Sequence, residues 1–183
     1  MKVDTTALLL KAVAFAAEKH RDQRRKDAAA SPYINHPIAL ASLLREYGID
    51  DIVVLCTALL HDTIEDTETT AEELRREFGP EITGVVLEVT DDKDILKEER
   101  KRLQIVHAKT LSTRAKLVKL ADKISNLRDM VASPPAGWPL KRKLEYFEWA
   151  KAVIDELRGA HPRLEALFDS AYREGLAALA GPN

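Results

Sequence analysis

The most constraining feature of the chain is a run of nine residues, 52–60, in which only Thr57 is polar. A helix formed by this run would be apolar around its whole circumference, so other elements must cover it on most sides. The run is much shorter than the roughly 20 apolar residues that span a membrane. It therefore predicts a central buried helix of a folded domain and no membrane partner.

Helix start and stop signals divide the rest of the chain, and no tract alternates apolar and polar residues as a strand does. We therefore expect a compact all-α bundle whose central helix extends from Ile52 to about Ile64. The helices expected around it cover residues 5–19, 35–48, 70–79, 81–90, 95–109, 113–130, 140–158 and 162–179. The expected caps are Thr5 or Thr6, Asn35, Asp50 or Asp51, a capping box of Thr70 with Glu73, and Ser112 or Thr113.

Composition narrows the class of protein further. The 183 residues suit one domain, residues 1–183, and 28 basic against 30 acidic residues leave a net charge of −2, which argues against a nucleic-acid partner. The single cysteine, Cys56, lies in the apolar run and has no partner for an internal disulfide. A reducing compartment, the cytoplasm, is therefore expected.

The segment His61-Asp62-Thr63-Ile64-Glu65-Asp66 places an imidazole and three carboxylates at the end of the central helix. A spacing of four puts His61 with Glu65, and Asp62 with Asp66, on adjacent stripes of a continuous helix. Uncompensated acids would repel each other there, and a bound cation would remove that repulsion. A solvated helix end followed by an acidic turn is the alternative interpretation.

Two further residues favour a metal site. His36 stands between Asn35 and Pro37 at a helix start, although a capping or packing role is also common for such a histidine. Asp122 interrupts an apolar helix face, where a salt bridge to a neighbouring lysine would also satisfy it. Together, His36, His61, Asp62 and Asp122 could bind one divalent ion and leave positions open for water and a phosphate ester.

These motifs resemble the HD phosphohydrolase superfamily and, within it, the hydrolase domain of RelA/SpoT proteins in its small stand-alone metazoan form. The similar stretches are residues 20–26, 32–37, 61–66, 89–93 and 119–128, and the resemblance covers nearly the whole chain. One departure is Asp27-Ala28-Ala29-Ala30-Ser31, where family members commonly carry a glycine-containing turn. The resemblance implies an HD-domain bundle with the metal site at its centre.

The resemblance also implies an activity and a set of site residues. The family hydrolyses the 3′-pyrophosphate of ppGpp to GDP and pyrophosphate, typically with Mn²⁺, and this chain has no room for a synthetase domain. The implied metal ligands are His36, His61, Asp62 and Asp122, and the implied catalytic acids are Glu65 and Asp66. The expected substrate-binding residues are Arg24, Arg25, Lys26, Lys97, Asn126, Arg142 and Tyr146, with Arg100 and Lys101 as further phosphate candidates.

Two other functions stay open at this point. A site built for a ribose 3′-pyrophosphate could admit a neighbouring 2′-phosphate, which makes NADPH an alternative substrate. A non-catalytic nucleotide-binding module is the third hypothesis, and the presence of Glu65 and Asp66 argues against it. The oligomeric state does not follow from the sequence.

Overall fold

The protein was examined as a computed structural model, which describes residues 4–181. Within those residues the regular structure is helical, which confirms the expected all-α fold. The helices are α1 (Thr5–Lys19), α2 (Asn35–Glu46), α3 (Ile52–Leu60), α4 (Thr63–Asp66), α5 (Ala71–Val89), α6 (Lys97–Ala108), α7 (Thr113–Ala132), α8 (Leu140–Asp155) and α9 (Pro162–Ala180). None of the described helices combines the length and the apolar character needed to cross a membrane.

Helix α3 lies at the centre of the bundle, as the apolar run predicts. Every residue from Val53 to Leu60 is buried, and helices α1, α2, α5 and α7 pack against it. The pKa of the Cys56 thiol is raised to about 11 by burial, which leaves it a neutral core side chain. Helices α8 and α9 extend the core on the far side of α7.

Several helix caps are the ones that the sequence predicts, and two predicted caps are not observed. Asp51 caps α3 by accepting a bond of 2.9 Å from the Val53 amide, and Ser112 caps α7. The first helix is capped by Asp4 instead of a threonine, because its carboxylate reaches two amide groups at 3.0 Å each. Asn35 makes no side-chain cap, since a turn closed by its own amide on Pro32 already leads into α2.

The capping box before α5 is half formed. The Thr70 hydroxyl accepts from the Glu73 amide at 3.2 Å, but the Glu73 carboxylate pairs with Lys19 of α1 at 2.9 Å instead of returning to the cap. Further along α5, Gly79 takes φ 82° and breaks the helix, so residues 71–78 and 80–89 run as two pieces. The sequence predicts that break through its Gly-Pro pair.

The central helix is shorter than expected. It ends at Leu60, and the chain turns through His61 and Asp62 before the single turn of α4 begins at Thr63. The buried Thr63 hydroxyl donates to the Leu60 carbonyl at 2.7 Å and satisfies an acceptor at the end of α3.

Two loops lie side by side at one end of the bundle. Residues 23–33 fold back on themselves through bonds from Arg25 to Ser31 and from Tyr33 to Gln23, and the loop 133–139 is joined to them by a bond of 2.7 Å from the Ala136 amide to the Lys26 carbonyl. In the 27–31 turn, Ala30 takes φ 48° and is the one non-glycine residue among 4–181 with positive φ. It occupies the left-handed position that glycine adopts more easily.

Glycine 175 permits the close packing of α9 on α8. A Cβ atom built on Gly175 would overlap the ring of Phe147, which is fully buried, whereas a Cβ on the exposed Gly84 would meet nothing within 4 Å. We predict that Gly175→Ala destabilises the protein by about 1–3 kcal/mol through overpacking. Gly84→Ala should instead stabilise it by about 0.5–1 kcal/mol through helix propensity. Urea unfolding of both variants measures the difference, and equal effects would show that α9 does not pack on Phe147 in this way.

Candidate metal and nucleotide site

The four predicted metal ligands come from three helices and meet beside the end of α3. His36 lies in the first turn of α2, His61 and Asp62 follow α3, and Asp122 lies in α7. Ligand atoms of His36, His61 and Asp62 lie within 4.8 Å of one another. The Nε2 atom of His36 is 3.2 Å from Asp122 Oδ1, so the fourth residue joins the same cluster.

The donor atoms of this cluster fit a divalent ion. The Nδ1 atom of His61 is 2.9 Å from the Ala58 carbonyl, which fixes Nδ1 as the N–H side, so the neutral ring presents the lone pair of Nε2 to a metal ion. That Nε2 atom is buried, and no group among residues 4–181 makes a hydrogen bond to it, although Asp62 Oδ2 lies 2.9 Å away. Two imidazole nitrogens and two carboxylates form a set that suits transition-metal dications.

Charges within the cluster hold one another ionised. Although burial raises it, the neighbouring His61 and His36 hold the pKa of Asp62 well below its usual range. Burial also acts against the charge of Asp122, whose pKa is held low by Lys123 and His36. Burial lowers the pKa of His61, but Asp62 and Asp122 outweigh it and raise that pKa to about 9. A metal ion would therefore replace a proton in this cluster when it binds.

Three side chains around the ligands fix the carboxylate orientations. The Tyr33 hydroxyl donates to Asp62 Oδ2, Asn126 Nδ2 donates to Asp122 Oδ1 at 2.6 Å, and Lys123 Nζ pairs with Asp122 Oδ2 at 3.0 Å. The lysine salt bridge at Asp122 and the predicted ligand cluster are thus both present. Sequence reasoning assigned no role to Tyr33, although its position three residues before His36 in the same turn was a usable signal.

The two predicted catalytic acids, Glu65 and Asp66, both line the ligand cavity but have different partners. Glu65 lines the same cavity as the ligands, and its Oε2 accepts from the Asp91 amide at 3.2 Å. Burial, helped by the charges of Asp91 and Asp62, raises the pKa of Glu65 to about 7. Asp66 forms an ion pair with Lys93 and accepts from Gln23 at 3.3 Å.

A second network behind Glu65 was also missed by sequence reasoning. Gln104 of α6 donates through Nε2 to the side-chain carboxylate of Asp91. The backbone amide of Asp91 in turn donates to the Glu65 carboxylate. The Gln104 Oε1 atom is buried without a partner among the described residues. Nothing in the local sequence marks Gln104, because its role depends on how α6 lies over the loop after α5.

The ligand cavity, about 200 Å³, shares lining residues with two larger cavities. We call the larger ones the first lobe, about 530 Å³, and the second lobe, about 560 Å³. Every residue predicted to bind substrate lines a lobe. The first lobe includes Arg24, Arg25, Lys26, Asn126 and Tyr146, and the second includes Lys26, Lys97, Arg100, Lys101, Arg142 and Tyr146.

Not all of the predicted cations are free to meet a substrate. Arg25 pairs with Asp129 at 2.6 Å and approaches Asn126 at 3.4 Å, while its guanidinium lies 5.9 Å from the Tyr33 ring centre. Arg24 donates through Nη1 to the carbonyls of Arg21 and Gln23. The first lobe therefore offers arginines that are already oriented, and the second lobe carries the denser positive charge.

The raised pKa of Glu65 predicts a pH-dependent stability in the metal-free protein. The folded state binds the Glu65 proton more tightly than the unfolded state, so stability falls as pH rises from about 4.5 to about 7 and stays reduced above that. Glu65→Gln should therefore stabilise chelator-treated protein at pH 8, by up to about 3 kcal/mol, and change little at pH 4. Denaturant unfolding at the two pH values tests this. Glu68→Gln, an exposed control on the same segment, should not show the difference; a pH-independent effect of Glu65→Gln would refute the prediction.

Comparison with known proteins places this site in a family. An HD-domain family model matches residues 12–145. The chain is 53% identical to guanosine-3′,5′-bis(diphosphate) 3′-pyrophosphohydrolase MESH1 of Xenopus tropicalis and of Homo sapiens, in both cases over 92% of this chain and 94% of the relative. A solved structure described as a metazoan ortholog of SpoT that hydrolyses ppGpp superposes with a TM-score of 0.89 at 49% identity, covering 92% of this chain and 95% of that one. The chain therefore belongs to the HD-domain family and, within it, to the group of the MESH1 proteins.

Proposed function

We propose that this protein is a metal-dependent hydrolase that removes the 3′-pyrophosphate of ppGpp and releases GDP and pyrophosphate. The observation that carries the proposal is the convergence of His36, His61, Asp62, Asp122 and Glu65 on one cavity between two nucleotide-sized lobes. The MESH1 relatives are named for this reaction, as guanosine-3′,5′-bis(diphosphate) 3′-pyrophosphohydrolases. Residues 1–183 then act as one hydrolase domain, and a single core built from α1 to α9 supports this.

The two lobes match the two ends of such a substrate. The first lobe has amide, arginine and aromatic groups, which suit a purine that stacks and makes hydrogen bonds. The second lobe gathers Lys97, Arg100, Lys101, Lys141 and Arg142, a set that suits a diphosphate. With the base in the first lobe and the 5′-diphosphate in the second, the 3′-pyrophosphate faces the ligand cluster between them.

The chain's own groups then divide the work of hydrolysis. His36, His61, Asp62 and Asp122 would hold a divalent ion, which would supply Lewis-acid chemistry that favours attack of water on phosphorus. Glu65, with a pKa near neutrality, accepts a proton from the attacking water as the new P–O bond forms. The bond between phosphorus and the ribose 3′-oxygen breaks, and that oxygen takes up a proton as GDP leaves. Asp66, paired with Lys93, fixes the segment that carries Glu65.

Manganese is the ion proposed for this cluster. Imidazole and carboxylate ligands together suit Zn²⁺, Mn²⁺, Fe²⁺ or Co²⁺, whereas an all-oxygen set would favour Mg²⁺ or Ca²⁺. Among these ions, Mn²⁺ is the one that the family resemblance implies. A location in the cytoplasm is also proposed, since Cys56 is buried and has no cysteine partner.

A product assay tests the activity. Wild-type protein loaded with Mn²⁺ should convert ppGpp to GDP and pyrophosphate, and chelator or Asp62→Ala should abolish product formation. Measuring kcat/KM for NADPH on the same preparation tests the second candidate substrate. The aromatic rings of Trp138 and Trp149, which line the second lobe, also favour NADPH. A much higher kcat/KM for NADPH than for ppGpp would overturn the ppGpp assignment. If neither substrate were turned over, the hypothesis of a non-catalytic nucleotide-binding module would replace it.

Metal content tests the ligand assignment at Asp122. Removing this carboxylate takes away an anionic ligand, so Asp122→Ala should bind Mn²⁺ at least tenfold more weakly and lose activity. Asp129→Ala, on the same helix and paired with Arg25, is the matched control and should retain the metal. Elemental analysis after gel filtration gives the readout. Equal metal content in the two variants would contradict the assignment.

A further inference from the structure

Arg142, an exposed cation of the second lobe, stacks on an aromatic ring and forms no salt bridge among residues 4–181. Its guanidinium carbon lies 3.9 Å from the centre of the Trp138 ring, the shortest cation-to-ring distance among the described residues. No carboxylate of residues 4–181 lies within 4.0 Å of it. The side chain is otherwise exposed, so the indole is the group that sets its direction.

Trp138 is itself well held. It ends the loop 133–139, which is tied to the 23–33 loop through the Ala136–Lys26 backbone bond and a bridge between Asp27 and Pro135. Its amide donates to the Pro135 carbonyl at 3.3 Å, and its ring meets the edge of Tyr146 with centroids 6.3 Å apart. Trp138 also lines both lobes. Trp138 therefore lies between the two lobes. The contacts to the 23–33 loop and Tyr146 hold it in place, and its ring is available to Arg142 in the second lobe.

We infer that Trp138 is a specificity-determining positioning residue, which holds Arg142 ready for the 5′-phosphates of the substrate. This inference rests on the proposed function. An exposed arginine loses rotamer freedom when it binds a phosphate, and stacking on a fixed indole removes part of that loss before the substrate arrives. The resulting gain in affinity applies only to substrates that place a phosphate in the second lobe. Trp138 thus favours nucleotides phosphorylated at both the 3′ and the 5′ position.

Kinetics on two substrates test this role. For ppGpp, Trp138→Leu should raise KM roughly five- to tenfold and leave kcat within twofold, because the reacting phosphorus lies away from Arg142. For guanosine 3′-diphosphate, which lacks the 5′-phosphates, KM should change less than twofold. Trp138→Phe keeps an aromatic face and should recover part of the loss. An equal rise in KM for both substrates would assign Trp138 to the base or to the fold and overturn the inference.

A double-mutant cycle provides the matched control. Trp138→Leu and Arg142→Ala should be strongly non-additive, so that Trp138→Leu costs nothing more once Arg142 is gone. Trp138→Leu and Lys97→Ala should be additive, since Lys97 lines the same lobe and, unlike Arg142, makes no cation–π pair with the indole in the described part of the chain. Additivity in the first cycle would refute the positioning role.

A binding measurement separates this inference from the proposed activity. Calorimetry on chelator-treated protein, with GDP and guanosine as probes, gives the contribution of the 5′-phosphates without any turnover. Trp138→Leu should lower the affinity for GDP roughly five- to tenfold and leave that for guanosine unchanged. An absence of ppGpp hydrolysis by the wild type would reject the proposed function, whereas equal losses for GDP and guanosine would reject the role of Trp138.

Discussion

The structure depends on a buried ionic cluster at the end of an apolar helix. His36, His61 and Asp62 lie together beside Asp122. Charged side chains are poorly solvated there, so each needs an opposite charge or a hydrogen-bond partner. The bundle meets this requirement with a hydroxyl from Tyr33, an amide from Asn126 and the ammonium of the buried Lys123. Tyr33 lies in the turn before α2, and Lys123 and Asn126 lie on α7. The groups that orient the ligands therefore come from two of the same parts of the chain that supply the ligands.

Much of the fold follows from local sequence because helix boundaries are set by nearby groups. Asp51, Thr70 and Ser112 cap helices as their side chains predict, and the Gly-Pro pair breaks α5. The end of the central helix could not be read in this way, since it depends on a buried threonine hydroxyl that bonds to Leu60. Nor could the absence of a side-chain cap at Asn35, because the preceding turn already leads the chain into α2.

The site also has features that follow from local sequence and features that depend on tertiary contacts. The four ligand positions could be proposed from residue types and a family resemblance, and the structure brings them together. The surroundings of Glu65 could not, because Asp91 and Gln104 approach it from another loop and another helix. The pairing of Arg25 with Asp129, 104 residues away, is equally invisible to local pattern. Tertiary proximity decides which cations are already engaged and which remain available.

The backbone bond between Ala136 and Lys26 has an evolutionary consequence. It fastens the loop after α7 to the turn that carries the predicted base-contacting arginines, so the two segments share one register. Surface loops usually tolerate insertions and deletions, but a change of length in either segment here would displace both walls of the first lobe together. We expect natural variation in loop length among related chains to be concentrated elsewhere, for example in residues 156–161 between α8 and α9, none of which lines a lobe.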